Sequence, residues 1–205
     1  MRKVLCLLGI IVLGAAPLLF GGNFAGAQTP DPMCPASGGD FLTGGGFIVG
    51  ATITDPPDAH ANFGVGGSCK QGGGPHGLWG HLEYIDHGTG LNVHWTTITA
   101  YLLDAILSDP NARIICGTAR TNQYGDVNFG VRAADDQRTG MVDKFDIQLT
   151  PTTTSTNCLT AVCYTTFASP FVPHPLVGGN ITLHNPDPTG PFGGSCPAFA
   201  GGIPD

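Results

Sequence analysis

The stretch GHLEYIDHGTGLNVHW, residues 80–95, decides the fold. Leu82, Tyr84 and Asp86 alternate with His81, Glu83 and Ile85, and Leu91, Val93 and Trp95 alternate with Asn92 and His94. Side chains of a strand project to opposite faces in turn, so a period of two marks a strand with one buried and one wet face. The His87-Gly88-Thr89-Gly90 link is a turn, in which Gly88 and Gly90 can take the positive φ of a tight reversal. The segment predicts one antiparallel hairpin in a fixed register. With residues 87 and 90 flanking the turn, Glu83 falls opposite His94 and His81 opposite Thr96.

Working outward, the same alternation recurs. Phe47 to Thr54 follows Gly44–Gly46 and reads as a first strand, stopped by Asp55-Pro56-Pro57. Ala61 to Val65 is a short second strand, and Gly66 to Gly77 a glycine-rich loop. Arg113 to Thr118 is another strand. Residues 127–133 and 145–149 form a second hairpin around a loop at 135–141, and Asn180 to His184 is the last strand. The Thr-rich stretch 150–156 reads as a loop. Residues 100–108, AYLLDAILS, are open between strand and helix, with Pro110 ending either. Short strands without intervening helices predict an all-β domain, an antiparallel β-sandwich or barrel of about eight or nine strands.

The N-terminus predicts export. Arg2 and Lys3 precede an apolar run from Val4 to Phe20, and Ala25-Gly26-Ala27 is a small-residue cleavage site, so residues 1–27 read as a signal peptide. Residues 28–42 are a Pro/Gly-rich lead-in, 43–186 the single β domain, and 187–205 a Pro/Gly-rich C-terminal tail. No later segment approaches the roughly 20 apolar residues of a membrane span. Loss of Arg2 and Lys3 takes the formal charge from −7 to −9. An acidic surface argues against nucleic acid, which selects basic patches.

Six cysteines follow Ala27: Cys34, Cys69, Cys116, Cys158, Cys163 and Cys196. An even number in an exported chain predicts three disulfides. Cys158 and Cys163 flank four residues and suit a local bridge. Cys34 precedes the first strand and Cys196 follows the last, so their pairing would tie both tails, leaving Cys69 with Cys116. There is no Cys-x-x-Cys pair of the kind zinc sites use.

A set of short motifs runs through the chain in order. It comprises Thr43-Gly44-Gly45-Gly46 with Ile48, Ala61-Asn62-Phe63-Gly64, Gly80 through His87, Gly117-Thr118-Ala119, Asp135, Asp143 with Phe145, and Gly178-Gly179-Asn180-Ile181 with His184. In these motifs the chain resembles the post-COAP-1 domain, a bacterial secreted module of choice-of-anchor-type extracellular proteins. The resemblance implies an extracellular β-rich module and no known reaction. Where that family tends to carry a Gly-Glu-Pro-Gly turn between its two aspartates, this chain has Asp136-Gln137-Arg138-Thr139-Gly140.

Two polar constellations stand out. The hairpin register places His81, Glu83 and His94 on one face, and two imidazoles with a carboxylate can hold zinc or copper. The competing reading is a solvated Glu83–His94 pair worth about 0.2–1 kcal/mol. Asp135, Asp136 and Asp143 border one loop and could bind calcium, although their spacing fits no EF-hand. The favoured account is turn-capping aspartates with Arg138 balancing charge. There is no Gly-x-Ser-x-Gly elbow, Glu83 is the only glutamate, and Gly72–Gly74 lacks the Lys-Ser/Thr of a phosphate loop. Trp79, Tyr84, Trp95 and Tyr101 could line a sugar-stacking surface, though such aromatics usually pack.

The chain therefore reads as a secreted or periplasmic, surface-associated structural module. No cofactor is implied, catalysis is not expected, and its partner is an unidentified extracellular or cell-surface one. The alternatives are a metal- or carbohydrate-binding module and an unrecognised hydrolase.

Overall fold

Nine strands pair in one antiparallel sheet, and a short tenth strand joins it from the side. The computed structural model describes Cys34 and residues 39–70, 77–167 and 172–199. The expected signal peptide, most of the lead-in, Gly72–Gly74 and the last six residues lie outside them. In chain order the strands are β1 (Phe41–Val49), β2 (His60–Cys69), β3 (Leu78–Asp86), β4 (Leu91–Leu103), β5 (Ala112–Thr121), β6 (Gly125–Ala134), β7 (Lys144–Ser155), β8 (Tyr164–Thr165), β9 (Gly178–His184) and β10 (Gly193–Gly194). Across the sheet the order is β8-β7-β6-β5-β4-β3-β2-β1-β9, with β10 on β4. The chain is a meander whose ninth strand returns to the first.

The sheet curls into a half-barrel around its apolar face. Phe63 of β2 stacks on Phe145 of β7, with ring centroids 3.8 Å apart, although four strands lie between them. Leu42, Val65, Leu82, Leu91, Val131, Ile147 and Ile181 are buried in the same interior. Each such side chain contributes about 1.5–3 kcal/mol of transfer free energy. Tyr84 and Tyr164 join it with their hydroxyls 2.6 Å apart, and Tyr164 also donates to Asp86 at 2.9 Å. Burial raises both phenol pKa values.

The seam of the curl is closed by side chains and loop backbone. The N–H groups of Ile181 and Leu183 on β9 donate to Asp143 (2.8 Å) and Asp135 (2.9 Å). Residues 174–177 bridge the gap, with Phe145 N–H donating to the His174 carbonyl, Leu176 N–H to that of Asp143, and Val177 N–H to that of Phe47.

Several strands extend beyond their sequence signal. β1 begins at Phe41 and runs through the three glycines, which act as strand interior. A Cβ at Gly46 would lie 2.3 Å from the Gly178 carbonyl oxygen, so β1 and β9 approach this closely only without one. β2 likewise continues through Gly66, Gly67 and Ser68, expected in a loop, to Cys69, and β7 continues through the Thr-rich stretch to Ser155. The open stretch 100–108 is strand as far as Leu103. The Asp104 carboxylate then accepts N–H groups from Ile106 and Leu107, which turns the chain. In the first hairpin only Gly90 takes positive φ (72°); at Gly88 a Cβ would lie 2.7 Å from the Asp55 carboxylate.

Three disulfides form, and two correct the expected connectivity. Cys158 pairs with Cys163, but Cys34 pairs with Cys69 and Cys116 with Cys196. Cys116 faces outward on the convex side of β5, where the C-terminal segment crosses the sheet, so Cys196 meets it there. That segment is no free tail. β10 pairs with Ala100 and Tyr101, and the Phe199 ring fills the space above Gly130, where a Cβ would lie 2.5 Å away. Ala100, Ile114, Cys116, Leu102, Ile106, Cys196 and Phe199 make a second, smaller core.

Candidate functional site

The hairpin keeps its expected register only at its turn end. Glu83 pairs with His94, Tyr84 with Val93, Ile85 with Asn92 and Asp86 with Leu91. On the convex face Glu83 Oε1 lies 2.5 Å from His94 Nδ1, with both side chains more than half exposed (52% and 69%). Arg120 follows opposite His94 and Asp126 opposite Arg120, so a polar row crosses the face with a carboxylate at each end and an imidazole and a guanidinium between them.

His81 does not complete a ligand set. The expected His81–Thr96 pairing is absent, and the Thr96 hydroxyl instead meets that of Thr118 at 2.7 Å. The His81 ring lies over Gly66 and edge-on to Trp79. Among the described residues, no group of three or more His, Cys, Asp or Glu is placed to hold a metal ion.

The aspartate loop is a structural clasp. Asp143 accepts the Gln137 N–H (3.0 Å), the Gln137 side-chain amide (3.2 Å) and the Ile181 N–H. Asp135 accepts the Leu183 N–H, and Asp136 pairs with Lys144 at 2.5 Å. Arg138 was expected to balance this charge; Lys144 does so, because β7 brings its ammonium back to Asp136 across the loop. All three aspartates are buried; both oxygens of Asp143 and one oxygen each of Asp135 and Asp136 are bonded from within the chain.

Where the β3–β4 ladder stops, the strands part. β4 carries register shifts between Trp95 and Thr97 and between Ile98 and Ala100, and such bulges bend the strand that bears them. The opening is a cleft of ≈ 360 Å³ lined by residues 78–81 of β3 and 95–98 of β4. Leu78 and Ile98 are buried at its floor, while Trp79 and Trp95 are half-buried. Lys70 holds its ammonium 4.2 Å from the Trp79 ring centroid. Of the four aromatics read as a sugar-stacking surface, Trp79 and Trp95 reach this cleft. Tyr84 and Tyr101 are core residues; the Tyr101 hydroxyl donates to Asp40 at 2.6 Å.

Three buried polar networks carried no sequence signal. At one end of the half-barrel Arg113 forms a bidentate pair with Asp40, which also accepts the Tyr101 hydroxyl and the Asp187 N–H. On the convex side Arg132 pairs with Asp104 (3.0 Å) and Asp109 (2.9 Å). Beside it Asp146 binds His174 Nδ1 at 2.8 Å and the Thr166 hydroxyl at 3.2 Å. Burial raises the Asp146 pKa, opposed by the His174 hydrogen bond.

Compared with known proteins, the chain matches no family model, no curated protein and no solved structure.

Proposed function

We propose that this chain is a secreted or periplasmic structural β module, associated with a surface and without catalytic activity, as its resemblance to the post-COAP-1 domain implies. The observation that carries the reading is how the buried charges are used. Asp40, Asp104, Asp135, Asp136, Asp143 and Asp146 are each held by partners within the chain. A catalytic carboxylate needs an oxygen that substrate can reach, and all of these are buried. Three disulfides support an oxidising compartment. No helix among the described residues is long and apolar enough to cross a membrane.

The test is incubation of the full chain, purified from an exporting host, with panels of esters, peptides and glycans, each followed by mass spectrometry. All substrates are expected to remain intact. Turnover that scales with protein and vanishes with a single substitution that preserves the fold would overturn the reading.

A further inference from the structure

From the geometry of the β3–β4 cleft we infer a site for one neutral pyranose unit of an oligosaccharide. The inference rests on the surface-associated reading in one respect, that the ligand is met outside the cell. The cleft lies at the small end of the roughly 300–1,000 Å³ typical of small-molecule pockets. Its lining is mainly apolar: the Trp79 indole stands beside His81 on the convex side, and Trp95, Leu78 and Ile98 pack with the core behind it. The polar groups it offers are the His81 imidazole and the Thr97 hydroxyl. Backbone adds to these. His87 N–H bonds the His60 carbonyl, so odd residues of β3 serve β2 and even ones face β4. Gly80 therefore turns its N–H and C=O toward the opening, where β4 provides no register partner.

That combination selects the ligand. No carboxylate or guanidinium is among the lining residues, and the one ammonium described beside them, that of Lys70, is already engaged on the Trp79 ring. A pyranose presents an apolar C–H face suited to an indole and a rim of hydroxyls suited to imidazole, hydroxyl and free backbone groups.

An extended peptide fits less well, because strand addition needs an open edge along which to run. This slot is closed at both ends. The Glu83–His94 pairing stops it on one side; on the other the Ser195 N–H bonds the Thr99 carbonyl and β10 occupies Ala100 and Tyr101.

The experiment is intrinsic tryptophan fluorescence of the full chain, titrated to about 10 mM with the pentasaccharides of cellulose, chitin, xylan, laminarin and starch, alongside an array of extended peptides. At least one pentasaccharide is expected to shift the emission saturably. Trp79→Ala and His81→Ala are each expected to weaken it about tenfold or more, while the remote Arg138→Ala leaves it unchanged. Circular dichroism confirms folding, and His81→Ala carries the test should Trp79→Ala unfold. Absence of any saturable shift overturns the inference. Binding that survives both cleft substitutions does so too, as does peptide binding that these substitutions abolish. Mass spectrometry of the same mixtures separates the two readings: cleaved sugar defeats the non-catalytic reading, and intact unbound sugar defeats this one.

Discussion

The two halves of the convex face share one sheet and have opposite fates. Over β5–β7 the C-terminal segment lies across the strands, and Arg132, Asp104 and Asp146 beneath it are buried and bonded. Over β1–β3 and the first half of β4 nothing described covers the sheet, and Glu83 and His94 stand in solvent, with Arg120 beside them at the near end of β5. A charge pair behaves according to which half it occupies. Buried, it is costly to break because the surviving charge is left without water or partner; exposed, it is screened and nearly neutral.

The largest expected effect comes from breaking the covered half. Arg132→Ala leaves the buried Asp104 carboxylate with backbone N–H donors and no cation, and should cost about 3–5 kcal/mol in urea-denaturation stability. Next is the bridge that holds the cover in place. Replacing Cys116 and Cys196 together with serine opens a link across 80 residues and should lower stability by about 2–4 kcal/mol. It should also expose the convex side of β6 to proteolysis near Phe199.

Asp146 sharpens the comparison through pH. Burial raises its native pKa above the 3.8 of a free aspartate, so the folded state holds this proton more tightly than the unfolded one. Through this group stability is gained as pH falls through the native pKa and lost as it rises. Urea midpoints of wild type and Asp146→Asn, taken between about pH 7 and 4, should show that gain in the wild type only. The smallest effect belongs to the open half. Glu83→Gln should change stability by less than about 1 kcal/mol, and less still at high salt. A larger loss there would mean that this face is covered.

Much of this was readable beforehand where the period of two is unbroken. Alternation from Leu82 to Val93 was enough to set Glu83 against His94. It failed at Trp95, because a bulge inserts a residue without changing which residue types follow, and so the His81–Thr96 pairing was wrongly expected. Glycine misled at residues 44–46 and 66–67, where a residue that usually marks turns permits close strand approach. The cysteine pairing was hidden because it depends on how the sheet curls and on a segment whose Pro/Gly composition conceals a two-residue strand. Arg132 and Asp104 are 28 residues apart in no periodic relation, and only the turn after β4 joins them.

The way Asp135 and Asp143 meet β9 has a consequence for crowded company. An outer strand with bare N–H groups invites a neighbouring molecule to continue the sheet, the first step toward fibres. Here two N–H groups along that margin, those of Ile181 and Leu183, are already bonded to carboxylates of the same chain. A carboxylate takes the hydrogen bond and offers no carbonyl ladder in return, so growth has no template at those positions. Two of the three aspartates read as a calcium candidate act as a full stop at this margin of the sheet.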